Sequence, residues 1–306
     1  MKRLVAQELT LSFVPDVEQR LWRTVMRRKH QLTCSRVQRQ NRLEALLEEM
    51  HIKLSSLVSD LLGPSARRML QTIADGATDP TAVAALAHQR LRATPDTLAD
   101  ALGACRDLPR VYRHLLQLTL DELRLIEAQI AALNHEMADL LRAHEAAVQR
   151  LAAVPGLGVD SAQQIIAEVG PTAATFASAQ HLASWAGACP GAEESGGVNY
   201  SRRRPHGNRQ MRRLLTIAAN SAIKTKGSLL QVVYRRLVPR LGHFQAIGAI
   251  AHRLCRLIWK ILHEGVAYEE RGPAVTKLRA QRRAAKMIRE LRGLGYRVEL
   301  FSGAPA

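Results

Sequence analysis

The sequence predicts a mostly α-helical protein in three consecutive regions, and three observations carry that expectation. Only 4% of the 306 residues are aromatic while 47% are hydrophobic, so the cores must be built from Leu, Ala, Ile and Val, which favours helices over sandwiches or barrels. A heptad can be laid along Leu116 to Leu140. Gly-Pro, Asp-Gly and Asp-Pro pairs separate stretches of helical length.

From Asp16 to about Leu62 breakers are few, and Asp16 is suited to cap a helix after Pro15, which predicts one long helix interrupted near His51. Gly63-Pro64, Asp75-Gly76, Asp79-Pro80 and Thr94-Pro95-Asp96 then punctuate shorter helices, a small helical cap or insertion. In the heptad, Leu116, Leu123, Ile130 and Met137 form one seam position and Thr119, Ile126, Leu133 and Leu140 the other. This seam fits a coiled coil between chains, pairing with the long first helix within the chain, or an amphipathic helix lying on a core. Residues 1–150 are therefore read as a long-helix and coiled-coil linker region carrying a small helical insertion.

After Leu151 the pattern changes. Pro155-Gly156-x-Gly158, followed by Ala162, Ile165, Ile166 and Gly170, resembles a helix-hairpin-helix element. Its glycines permit a tight turn whose backbone N–H groups and following helix N-terminus can hold a DNA phosphate without reading sequence. A plain connector between helices is the alternative. Further helices are expected over residues 178–185, 208–226, 228–237 and 244–263, with 188–207 as one long irregular loop of the kind that is usually functional or disordered. These make a second region, 151–265. The third, 266–306, is a tail with a basic helix around Lys277 and a short strand near Tyr296.

The formal net charge is +17, and it is unevenly placed. Ser195 to Ala306 carries 23 Lys and Arg against 5 Asp and Glu, a net +18, while the preceding residues carry 21 against 22. A near-neutral part joined to a strongly basic one is the footprint of a polyanion binder, and nucleic acid is the first candidate. A merely solvated basic surface is the bland alternative. Cys34, Cys105, Cys189 and Cys255 are widely separated and read as buried thiols in a reducing compartment, not as a zinc site. The N-terminus breaks its apolar run too early for a signal peptide, and no stretch approaches the roughly 18 apolar residues of a membrane span. A cytoplasmic, nucleoid-associated protein with no membrane partner is expected.

Within the basic part, Ser195 stands between two glutamates and two glycines, ahead of Arg202, Arg203, Arg204, His206, Arg209, Arg212 and Arg213. Alone, Ser-Gly-Gly is an ordinary turn. A serine hydroxyl becomes a nucleophile only with a base, a metal or local positive charge, and a phosphoryl transition state needs guanidinium donors. The arginines supply those donors, and Gly196 and Gly197 let a DNA backbone approach the hydroxyl. On a helix starting near Asn208, Arg209, Arg212 and Arg213 share one face while Leu214, Leu215 and Ala218 point to the core. With so few aromatics nearby, contact with double-stranded DNA along its backbone is expected rather than base stacking. Asp160, Glu168, Glu193 and Glu194 lack partners at metal spacing and read as solvated or capping residues. His181, His243, His252 and His263 read as structural.

Val154-Pro-Gly-Leu-Gly158, Ile165-Ile-Ala-Glu-Val-Gly170, Phe176, His181-Leu-Ala-Ser-Trp-Ala-Gly187, Cys189-Pro-Gly191, Glu194-Ser-Gly196 and Gly207-Asn-x-x-x-Arg-Arg-Leu-Leu215 together resemble the C-terminal domain of the IS-one-ten family of insertion-sequence transposases, which includes the Piv/MooV invertases. Asn41-Arg-Leu43, Ile52-Lys-Leu-Ser-Ser-Leu-Val-Ser-Asp60 and Leu91-Arg92 resemble its linker and coiled-coil region. The tail after Gly265 resembles nothing further.

The resemblance implies DNA transposition by a serine nucleophile, in a composite site within a homo-oligomer and with a structured guide (bridge) RNA. The Mg²⁺ is held by four acidic residues of an N-terminal RuvC-like domain. By motif, the family's serine falls on Ser195 with Gly196 beside it, and its Gly-Asn helix start on Gly207 and Asn208, so that Asn208 is expected among the DNA-binding residues with the arginines that follow it. Relatives often carry lysine where this chain has His206, which makes any charge there pH-dependent. Phe13-Val-Pro-Asp-Val-Glu18, which in the family follows the acidic domain, stands almost at Met1. The expectation is therefore a chain lacking that domain, binding no cofactor itself and recombining little on its own. The alternative is a non-catalytic nucleic-acid-binding remnant that dimerises through its coiled coil.

Overall fold

The computed structural model describes residues 14–88, 91–189, 193–195, 198–201 and 206–293, and over these it is mostly helical, as the composition requires. The chain divides into two compact units, Thr24–Leu140 and the remainder, with the start of the first helix belonging to the second of them.

Helix α1 (Val17–Glu49) begins where Asp16 Oδ1 accepts the Gln19 N–H at 2.7 Å, satisfying one of the orphan donors of a helix start. It stops well short of Leu62. His51 takes a left-handed backbone (φ 56°), a conformation that ends a helix, and a single 3₁₀ turn follows at Leu54–Ser56. Helices α2 (Pro64–Ala74), α3 (Pro80–Ala84) and α4 (Pro95–Ala101) each carry proline in their first turn, where its missing N–H costs nothing. Asp79 and Thr94 cap α3 and α4 through side-chain oxygens.

Helix α5 (Arg110–Leu140) carries the heptad. Leu116, Thr119, Leu123 and Met137 are buried, and Leu116 and Leu123 share a core with Leu43, Leu46 and Leu47 of α1 and Met69, Leu70 and Ile73 of α2. Ion pairs Arg36–Glu127 (2.9 Å), Arg39–Glu122 (2.9 Å) and Arg67–Glu127 (2.6 Å) flank that core. Over Leu116–Glu127 the stripe lies on a core to which both α1 and α2 contribute, with ion pairs to Arg36 and Arg39 of α1 and Arg67 of α2 along its edge. Each leucine buried this way contributes about 2 kcal/mol. Burial alone would raise the Glu127 carboxyl, but the two guanidinium partners hold it below the usual carboxylate range.

The second unit contains α6 (Glu145–Ala152), α7 (Val159–Val169), α8 (Ala179–Ala186), strands β1 (Glu193–Ser195) and β2 (Val198–Ser201), α9 (Arg209–Ala222), α10 (Leu229–Glu264) and α11 (Gly272–Gly293). Ile165, Ile166, Leu215, Ile250, Leu254 and Ile258 are among its fully buried side chains. Trp259 Nε1–H donates to the Phe176 carbonyl at 2.8 Å, and the Phe176 and Trp185 rings meet at 5.1 Å.

One sequence expectation changes here. The stretch 188–207 is not wholly irregular, because β1 and β2 pair antiparallel across it, Ser195 opposite Val198, with a register irregularity after Glu193. The two helices expected over 228–237 and 244–263 are both present as the two limbs of α10, separated by the non-helical Gly242 (φ 73°, ψ 171°) three residues after Pro239. The strand expected near Tyr296 lies outside the described residues.

The segment after α10 doubles back onto the start of that helix. Glu270 Oε1 accepts the N–H groups of Leu229 (2.8 Å) and Gly272 (2.7 Å), and the Tyr268 hydroxyl donates to Oε2 at 2.7 Å. Burial by itself would raise the Glu270 carboxyl, yet these bonds hold it below the usual range. No described helix is long and apolar enough to cross a membrane.

Candidate functional site

The basic part is organised around a neck. Helix α8 ends at Gly187 in the left-handed conformation (φ 65°), and the Ala188 N–H returns to the Ala183 carbonyl at 2.9 Å, the usual way a glycine satisfies the last carbonyls of a helix. The chain then leaves for the β1–β2 hairpin and comes back at Gly207. A side chain there would collide with the backbone of Ala186 and Gly187, so only glycine permits the two ends of the excursion to touch. The Asn208 N–H donates to the Trp185 carbonyl at 2.9 Å, closing the same junction. At the base, burial, followed by the nearby Arg256 and Arg253, pushes the imidazole of His252 on α10 below its usual range. Burial also pushes the neighbouring Cys255 thiol up to about 12, which marks it as an inert core group.

Asn208 works in two directions at once. Its Oδ1 accepts the Met211 N–H at 2.9 Å and so caps α9, and its Nδ2 donates to Glu168 Oε2 at 3.0 Å. Glu168 is only 4% exposed, a correction to the expectation of a solvated or capping acid. Arg23 of α1 lies beside it, Nε to Oε2 at 3.7 Å, and donates to the Glu168 and Ala167 carbonyls. A buried carboxylate is tolerable only with such partners. Sequence reasoning missed this group because Arg23 and Asn208 lie far from Glu168 in the chain.

The turn between α6 and α7 is similarly explained by packing. Gly156 has φ +88°, and a Cβ on it would strike the Ala218 carbonyl and come within 2.6 Å of the Ala222 N. The missing side chain is thus accounted for by close contact with α9. Gly158, which precedes α7 with extended backbone, has open space around it. Helix α7 starts with the exposed Val159 and places Asp160 in its first turn, an acid at the end of the helix that favours anions.

On α9, Met211, Leu214, Leu215, Ala218, Ala219 and Ala222 are buried, the inward face that the spacing predicts. Arg209 is exposed, and Arg212 and Arg213 are half-buried. Arg213 donates to Gln164 Oε1 at 2.8 Å, and Gln164 in turn donates to Asp160 at 2.7 Å, so this guanidinium is tied to α7. Ser195 ends β1, while Gly196, Gly197, Arg202, Arg203 and Arg204 lie outside the described residues. Among the described residues no group of three or more His, Cys, Asp or Glu side chains converges to hold a metal ion. The donor set among the described residues does not fit a Mg²⁺ centre there.

This neck and its helices fall inside the segment that matches a known family. Residues 148–235 match the model of the Transposase IS116/IS110/IS902 family. The chain is similar to an uncharacterised 43.6 kDa protein of insertion element IS110 from Streptomyces coelicolor, 29% identical over 72% of this chain and 50% of that protein. It is also similar to a probable family 20 transposase of Pseudomonas aeruginosa, 30% identical over 60% of this chain and 55% of the other, and to an uncharacterised 42 kDa protein of IS900 from Mycobacterium paratuberculosis, 27% identical over 63% and 50%. The chain spans about half the length of these relatives. The glycine-closed neck, the Asn208 cap and the hairpin all fall within the residues that match the model of the Transposase IS116/IS110/IS902 family.

Proposed function

We propose that this chain binds double-stranded DNA through its basic unit and that Ser195 is the nucleophile of an insertion-sequence strand exchange. One observation carries the reading: the strand that ends in Ser195 and the helix that begins at Arg209 grow from one closed neck. A hydroxyl and an exposed guanidinium are thereby rooted in a common rigid base, the arrangement phosphoryl transfer requires. Asn208 and Gly207 serve as positioning residues, fixing the neck rather than touching DNA. Arg202, Arg203, Arg204, Arg209 and Arg212 supply phosphate contacts, with Gly158 leaving room for the backbone.

In the step proposed, Ser195 Oγ attacks phosphorus, a Ser–O–P ester forms as one sugar–O–P bond breaks, and the serine proton ends on the released sugar hydroxyl. The number of phosphoester bonds is conserved. In the family a metal-binding partner domain accompanies this chemistry. A homo-oligomer and a structured guide RNA belong to the same reading.

The test is an element-end duplex incubated with the full chain, with the metal-binding domain and Mg²⁺ supplied in one arm. A covalent protein–DNA adduct is expected there and absent with Ser195→Ala; an adduct that survives that substitution overturns the assignment. Duplex affinity should fall with salt, and Arg209→Gln and Arg212→Gln should each reduce the log–log slope by about one. Salt-independent binding counts against the whole reading.

A further inference from the structure

Helix α10 carries Arg235, Arg236, Arg240, Arg253, Arg256 and Lys260, and no acidic residue before Glu264, its last. At its break an aromatic residue stands out into solvent. Gly242 turns the backbone out of the helical path, and Phe244 is 86% exposed. A lone exposed apolar side chain is ordinary, but this ring is held from behind. The His243 ring meets it edge-on at 5.5 Å and 70° and in turn meets Tyr234 edge-on at 6.0 Å, and the Tyr234 hydroxyl is 2.8 Å from His243 Nδ1. Three rings thus form a ladder anchored across the break, and Phe244 is its outermost rung. Arg235 and Arg236 adjoin Tyr234, Arg240 lies one turn before Phe244, and all three are exposed.

We propose that Phe244 is a stacking platform for an unpaired base of DNA, with Arg235, Arg236 and Arg240 on the adjoining phosphates. This rests on the DNA-binding reading above and adds to it a second contact centred on Phe244, beyond the end of the matched residues. An aromatic face beside guanidinium groups suits a strand whose bases have left the duplex, because every base offers a π-face and every linkage a charge. With no acid of its own before Glu264, α10 disfavours a basic partner, and a ring backed by His243 and Tyr234 loses little freedom on stacking. Among the described residues, Phe244 is the large aromatic side chain left standing in solvent.

The probe is a single-stranded oligodeoxynucleotide carrying 5-iodouracil, bound to the full chain and cross-linked by long-wavelength ultraviolet light. The cross-linked peptide should contain Phe244. Phe244→Leu should weaken binding of the strand by about tenfold, the size of one base–aromatic stack, while leaving its salt slope and the affinity for intact duplex unchanged. Arg235→Gln with Arg240→Gln should lower the slope. Cross-links mapping elsewhere, or Phe244→Leu binding like wild type, overturn the proposal while the duplex reading through Arg209 stands. Tenfold preference for RNA of the same sequence, or a concentration-dependent dimer abolished by Phe244→Asp, also overturns it. Loss of duplex binding in the unaltered chain removes both readings together.

Discussion

The two units use the same residue types in opposite ways. In Thr24–Leu140 arginines meet carboxylates: Arg36 and Arg67 converge on Glu127, Arg39 pairs with Glu122 and Arg124 with Asp121. Its helices are joined by proline-started turns, and leucine fills its core. In the second unit α10 has almost no acids to meet, and the joints are glycines pressed on backbone, Gly156 on α9 and Gly207 on the end of α8. Its buried carboxylate Glu168, the one such group among the described residues, lies where α1, α7 and α9 come together. Charge neutralised within one unit and left facing outward in the other tells which of them is shaped by packing alone.

The comparison breaks most readily at Glu168. Glu168→Ala leaves Arg23 and Asn208 facing an empty carboxylate site, and unfolding should become easier by about 4 kcal/mol; a change under 1 kcal/mol in denaturant titration would refute the keystone role. Next is Leu123→Ala, which should cost about 3 kcal/mol by loss of a buried side chain in the first unit. Leu118→Ala, at a position 47% exposed, should cost under about 0.5 kcal/mol. An outcome in which Leu123→Ala altered the sedimentation coefficient and not stability would restore the seam to an interface between chains.

Gly156→Ala adds a side chain at positive φ against the α9 backbone and should cost about 2–3 kcal/mol, with Gly158→Ala as the near-neutral control. The reverse order of those two melting temperatures would mean that the turn is shaped by its ligand and not by α9.

The smallest effect is that of pH. Glu127 titrates below its ordinary value of 4.5 in the folded chain. Its contribution is therefore complete above about that pH and lost as the pH falls through the lower folded value. Its size should be about 1 kcal/mol. Glu127→Gln should flatten that part of the acid limb, whereas Glu270, depressed for a related reason, keeps its own share.

What the sequence made legible was local chemistry. The starts at Asp16, Pro64, Pro80, Pro95, Ser178, Asn208 and Ser228 were readable because a cap or a first-turn proline acts within four residues of itself. The inward face of α9 followed from spacing alone. The partner of the α5 seam stayed open, since a heptad specifies a stripe and not what covers it. Glu168 was misread because an acid's burial depends on residues far along the chain. Gly156 was legible as a turn, but the α9 backbone that forbids a side chain there was not. The hairpin was missed although Gly196-Gly197 between Ser195 and Val198 is the spacing of a two-residue connection. Phe244 was passed over for want of company; the acid-free run around it, readable from Gly227 to His263, was the available signal.

The closed neck at Gly187 and Gly207 also bears on how such a chain diverges. Because the ends of the excursion meet on backbone contacts, the helices beneath do not register its length, and loop-closure entropy rises only slowly as residues are added. Residues 190–205 can be exchanged as a cartridge into an unchanged socket. A graft of that segment between relatives should leave the recipient's melting temperature where it was.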